Sequence, residues 1–184
     1  MKTEIKTRSL ITAGFALAFS LALSGCGEEK TEETEAAATE NTSLEAVFLE
    51  SAPDGAVSVL KARESVNPGD TITVSGRVAG AMKPFSDHYA TFVLADETLE
   101  TCERIPGDNC KTPWDACCVE PKTISASRIT VQVIGSDGRP VKSSMKGING
   151  LEELDDLVVT GTVAEGSNAE NLILNATGIY TKKG

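Results

Sequence analysis

Cys102, Cys110, Cys117 and Cys118 lie in one stretch, spaced C-x7-C-x6-C-C, and the single tryptophan, Trp114, stands among them. Thiols at this density can do three kinds of chemistry. They can close two disulfides, which an even number allows wherever the compartment is oxidising. Three pairings are open; the direct Cys117–Cys118 bond is strained, so we expect each of that pair to bond Cys102 or Cys110. They can instead hold zinc or an iron–sulfur cluster as thiolates. The spacing lacks the C-x2-C knuckles of such sites, although a softer ion such as Cu(I) suits the vicinal pair. Third, Cys117 and Cys118 could cycle between dithiol and disulfide. No C-x-x-C is present, and the acidic neighbours Asp115 and Glu120 would raise a thiol pKa rather than lower it. The expectation is two disulfides, with metal as the alternative and no resident cofactor. Trp114 and Asp115 are the candidate ligand contacts, although a tryptophan beside cysteines more often packs over the staple.

Little else in the chain offers catalysis. His88 is the sole histidine, which removes any two-histidine metal site and leaves a nucleophile without a base; a polar residue at a strand edge is the simpler role. There is no G-x-S-x-G, no Walker loop and no G-x-G-x-x-G. Gly147-Ile148-Asn149-Gly150 reads as a turn into a helix rather than a phosphate cradle. We expect no enzyme.

The cysteines need a frame, and the surrounding pattern supplies one. Ser58 can cap a short helix through Glu64, ended by Asn67-Pro68-Gly69-Asp70. The period then changes to two. Strands are expected at Thr71–Ala79, His88–Ala95, Ile129–Ile134, Leu157–Val163 and Leu172–Tyr180, with Ser136-Asp137-Gly138 as a turn and a short helix around Gly150–Leu154. Residues 97–128, preceded by the second strand and holding all four cysteines, form an insertion with no obvious regular structure, too long for an ordinary loop and therefore either functional or disordered. Thr73-Val74-Ser75-Gly76-Arg77-Val78-Ala79 echoes Val158-Val159-Thr160-Gly161-Thr162-Val163-Ala164, and a glycine at the same place in two strands predicts a bulge or sharp coiling. Five strands with a helix between the third and fourth is the order of an OB barrel. With its helix, its Gly69-Asp70-Thr71-Ile72-Thr73-Val74-Ser75-Gly76-Arg77-Val78 run and a second strand ending at Asp96, the segment from Val57 to Tyr180 resembles the OB-fold proteins of the bacterial periplasm. The fold expected is all-β, a five-stranded OB-fold-like barrel with small helices and a Cys-rich insertion between strands two and three.

The start of the chain is an address. Lys2, Lys6 and Arg8 precede an uncharged apolar run from Leu10 to Ala22, too short to span a bilayer comfortably, and then comes Leu23-Ser24-Gly25-Cys26. This resembles the lipobox of bacterial lipoproteins. The resemblance implies that residues 1–25 are a signal peptide, that Cys26 receives diacylglycerol and a palmitate-class acyl chain, and that the anchor is stable because more than one chain is attached. Gly27 rather than Asp after Cys26 implies the outer membrane, facing the periplasm, if the organism has two membranes. Residues 26–42 are the lipidated cysteine and an acidic tether without large apolar residues, expected to be disordered; residues 43–184 are the domain. The formal charge is −10, and loss of the signal segment makes it two units more negative. That balance disfavours nucleic acid, whose binding needs basic and aromatic surface. The partners expected are the membrane, through the lipid, and an unknown protein or small-molecule ligand. The domain then serves as a non-enzymatic binding module. The alternatives are metal handling or thiol redox chemistry by the same four cysteines, and a structural envelope role.

Overall fold

The computed structural model describes residues 44–182. The signal segment, Cys26 and all of the tether lie outside the described residues. No helix among the described residues is long and apolar enough to cross a membrane.

A two-residue strand β1 (Val57–Ser58) runs into helix α1 (Val59–Ser65), where Ser58 is the N-cap and its hydroxyl accepts from Lys61 N at 3.2 Å. The strands that follow are β2 (Thr71–Val78), β3 (Thr91–Ala95), β4 (Arg128–Gln132), β5 (Asp156–Val163) and β6 (Ile173–Thr181). Helix α2 (Pro121–Ala126) stands just before β4. The sheet order is β1-β2-β3-β4-β6-β5, and β5 pairs back onto β2. β4 and β6 run parallel while the other barrel pairs are antiparallel. Numbered from β2, the five barrel strands close in the order one-two-three-five-four-one. That is the OB barrel topology, established by this chain's own pairing.

Closure follows from the alternation. Val74, Val78, Phe92, Leu94, Ile129, Val131, Leu157, Val159, Leu174 and Ile179 all point into one core and are all but sealed from water. Burial of each such side chain contributes on the order of 2 kcal/mol. The echoing glycines serve the bend. A Cβ on Gly161 would strike the Asn175 carbonyl, and the β5–β6 register shifts between Thr160 and Gly161, which is the expected bulge. On Gly76 it would meet the Ala95 carbonyl at 2.5 Å. There β2 changes partner, pairing with β1 at Val74 and Ser75 and with β3 at Arg77 and Val78.

Three expectations need correction. The second strand begins at Thr91 rather than His88, because Ala90 N donates to Val141 O and Ser86 N to Thr91 O, drawing residues 86–90 into bends; His88 is exposed there. No helix forms over 150–154. A 3-10 turn (Ile148–Gly150) precedes Leu151, and Gly150 and Leu154 have φ of +77° and +72°, which no α-helix admits. The buried Leu151 at one end of this segment imitates a helical apolar spacing with Leu154. Finally, the insertion between β3 and β4 carries regular structure of its own, a 3-10 turn (Cys102–Arg104) and α2.

A candidate thiol site in the insertion

Backbone hydrogen bonds fold the insertion into a narrow hairpin. Cys102 N donates to Asp115 O at 2.8 Å and Glu103 N to Pro113 O at 3.0 Å. This lays Cys102 beside the segment that leads to Cys117. The tip then turns back on itself. Asp108 N donates to Ile105 O, Gly107 takes φ +83°, and the Asp108 carboxylate accepts from Cys110 N at 3.0 Å. Such an Asx turn reverses the chain without a second strand. Beyond the hairpin, Val119 N donates to Ala116 O, so Cys117 and Cys118 occupy the two corners of a β-turn. Pro121 then starts α2 at its first turn, where a missing N–H is harmless.

The outcome is a convergence of sulfurs. One ligand atom each from Cys102, Cys110 and Cys117 lies within 4.8 Å of the others. Cys102 Sγ and Cys117 Sγ are 3.5 Å apart. Cys118 Sγ is 4.0 Å from Cys117 Sγ and outside the set of three. All four are free thiols in this structure. Burial is graded: Cys102 is 3% exposed, Cys110 half-buried, and Cys117 and Cys118 exposed. Burial pushes the Cys102 thiol far above its ordinary pKa, and its bonds with Cys117 and Cys110 add to the rise. Cys110 is shifted the other way, because the Thr112 hydroxyl, 3.4 Å from Sγ, and the Thr112 backbone stabilise its thiolate. At Cys117 the bond with Cys102 favours the thiolate, but Cys118 and burial together outweigh it and leave the pKa raised.

The insertion is clamped to the barrel at several points. Ala79, Ala95, Leu99 and Ala116 make a second small core, with Trp114, Val119, Ile124 and Leu154 packed against it. Gly80 N donates to Trp114 O at 2.9 Å, and Trp114 Nε1 donates to Met82 O at 3.1 Å. Trp114 therefore packs on this small core with its indole N–H satisfied. Asp115 turns its carboxylate to Ala116 N at 2.8 Å. Arg77 on β2 grips Asp156 with two bonds of 2.8 Å and reaches Glu103 at 3.1 Å, tying the 3-10 turn that carries Cys102 to two strands. The paired guanidinium holds the Asp156 carboxyl below its ordinary pKa.

At the end of β3, Asp96 is 2% exposed. Its carboxylate accepts from Leu60 N at 2.9 Å, from Thr98 N at 3.0 Å and from the Thr98 hydroxyl at 2.6 Å. Burial would raise its pKa, but the bonds from Thr98, Leu60 and Ser58 outweigh that and lower it. Asp96 thus pins the start of α1 to the strand from which the insertion departs. The sequence reading used it only as a strand end. Its signal was an acid placed directly after the apolar strand and two residues before a threonine.

No family model matches this chain, and no curated protein matches it. Among solved structures it is similar to the hypothetical protein ygiW from E. coli, at 13% identity over 72% of this chain and 96% of that one, with a TM-score of 0.36. At that level of likeness the barrel assignment stands on the strand pairing described above.

Proposed function

We propose that this is a lipid-anchored envelope protein, facing the periplasm from the outer membrane where there is one, in which the OB barrel carries a non-enzymatic binding site for a thiophilic metal ion. The observation that carries the reading is the approach of three sulfurs from three separate turns of the insertion, all within 4.8 Å and none bonded to another. A metal–thiolate bond of about 2.3 Å sets sulfurs about 3.8 Å apart around a tetrahedral ion and about 4.0 Å apart around a trigonal one. The Cys102–Cys117 pair, at 3.5 Å, lies near that spacing and well beyond the roughly 2.05 Å of a disulfide. The lipobox supports the membrane address. The acidic chain and its few aromatic residues argue against a nucleic-acid ligand.

The stapled form remains the second reading, and one distance favours it. Cys102 Sγ and Cys117 Sγ are in contact at 3.5 Å, and a bond between them would leave Cys110 for Cys118, one of the two pairings preferred on sequence grounds. The insertion would then be a rigid scaffold for an unknown protein or small molecule.

The test is metal analysis and intact mass of the full-length lipoprotein, extracted from membranes in a mild detergent without oxygen or reductant. The reading requires about one thiophilic ion per chain, released by a chelator, with the four insertion thiols alkylated afterwards. A metal-free chain four protons light, with no thiol to alkylate, overturns it in favour of the stapled scaffold.

A further inference from the structure

We infer that the site is three-coordinate, taking monovalent copper between Cys102, Cys110 and Cys117, with Cys118 as the outer thiol through which the ion enters and leaves. This rests on the metal-binding reading above and adds the ion, its ligands and its path.

The first argument is the supply of ligands. Three sulfurs form a closed set, and Cys118, although next in sequence to Cys117, lies outside it. The turn geometry explains why. Adjacent corners of a β-turn send their side chains in different directions, so Cys118 stands apart from the three sulfurs that share a centre. Carboxylates do not supply a fourth donor either. Of the carboxylates beside the cysteines, Asp108 holds Cys110 N, Asp115 holds Ala116 N and Glu103 pairs with Arg77 and Arg104, and none stands within the set of three. The chain's one histidine, His88, lies on the other side of β3 in sequence and is not in the set. An all-sulfur, three-fold donor set is the environment that soft Cu(I) prefers, whereas zinc seeks four ligands.

The second argument is the gradient of burial. The innermost sulfur, Cys102, is 3% exposed, Cys110 is half-buried, and Cys117 opens to solvent. Cys118 stands beyond Cys117 at 4.0 Å, exposed as well. An ion leaving the set therefore meets Cys118 before it meets a partner. In that exchange a copper–sulfur bond to Cys118 forms as the bond to Cys117 breaks. The Cys118 thiol gives up its proton, the released Cys117 thiolate takes one up, and copper stays in the +1 state. No oxidant or reductant is needed.

The experiment uses the full-length lipoprotein in detergent under anaerobic conditions. Cu(I) is supplied as its acetonitrile complex and a coloured Cu(I) chelator serves as competitor. X-ray absorption of the wild type should count three sulfurs about the copper. Cys102→Ser, Cys110→Ser and Cys117→Ser should each weaken Cu(I) binding by about 100-fold or more, beyond what loss of a supporting group costs. Cys118→Ser should keep the equilibrium affinity within about threefold, a difference under 1 kcal/mol, yet release copper to the competitor several times more slowly. The sulfur count needs no variant, so it stands even if a serine variant misfolds. Four sulfurs about the ion, or a loss in Cys118→Ser equal to that in Cys110→Ser, overturns the three-coordinate inference but leaves metal binding intact. So does stable Zn(II) in preference to Cu(I). No metal of any kind, with two disulfides by mass, overturns the functional reading itself.

Discussion

Replacing Asp96 tests whether one buried carboxylate couples the helix, the barrel and the insertion. Beside its Ser58 partner it accepts three hydrogen bonds, two of them from the backbone N–H groups of Leu60 and Thr98. Leaving a partly buried donor unpaired costs about 1–3 kcal/mol. Two such donors, less what water recovers, put Asp96→Ala at about 3 kcal/mol. The Thr98 hydroxyl can turn to solvent and adds little. Asp96→Asn keeps the shape and one acceptor oxygen but loses the charge that strengthens all three bonds, so it should cost about 1–2 kcal/mol. Urea unfolding followed by far-UV circular dichroism measures both. With a slope of about 2 kcal/mol per molar, the alanine midpoint should fall by roughly 1.5 M with the slope unchanged. The pH dependence gives an independent check. Burial would raise the Asp96 pKa, yet its hydrogen bonds hold the folded value below the ordinary 3.8. Its contribution is therefore complete above the unfolded pKa and is lost as pH falls through that value toward the folded one. The wild type should lose stability over that acid range more steeply than Asp96→Asn. The reasoning fails if Asp96→Ala costs under about 0.5 kcal/mol, or if the asparagine variant shows the same acid limb as the wild type.

Other outcomes follow from features already described. Gly161→Ala should cost about 2–4 kcal/mol, since its Cβ would land on the Asn175 carbonyl at the bulge. Gly166→Ala, with nothing within 4 Å of the added methyl, should stay within about 0.5 kcal/mol by the same urea assay. Arg77→Ala should lower stability by about 1–2 kcal/mol and speed alkylation of Cys102, because the turn that carries it loses its tie to β2 and β5. Globomycin should leave an unprocessed precursor, and Cys26→Ser should abolish lipid labelling; labelling that persists in the serine variant would refute the lipoprotein reading.

The barrel was legible because its strands alternate and its bends fall on glycines. Val74 and Val78, Phe92 and Leu94, Ile129 and Val131 declare their inward face by spacing alone. Where the reading missed, a backbone conformation decided the matter. Leu151 and Leu154 are three apart, as in a helix, but positive φ at Gly150 and Leu154 sends the chain another way, and sequence spacing does not report φ. Helix α2 escaped notice because six residues with one large apolar side chain, Ile124, make no periodic signal; Pro121 was the only hint. The thiol site was visible as a composition but not as a geometry. That Cys102, Cys110 and Cys117 meet while Cys118 turns aside depends on a hairpin held by Asp115 O and Pro113 O, on an Asx turn at Asp108 and on a β-turn after Ala116. Those contacts involve polar groups that many loop arrangements could satisfy.

The pairing of β2 with β5 also sets a schedule. Thr73 and Thr160 face each other across 87 residues of chain, and β6 completes the wall only with the last residues described. During synthesis β2 can meet β3 early, but its other edge must wait for the chain 87 residues further on before it finds β5, and long-range strand pairing of this kind is slow. The four thiols emerge well before that moment. They spend the interval on a chain that is not yet a barrel, open to whatever oxidant, chaperone or metal donor the surroundings provide. Whichever of these reaches them first acts on an unfolded loop, so the chemical state of the site can be decided before the fold that displays it exists.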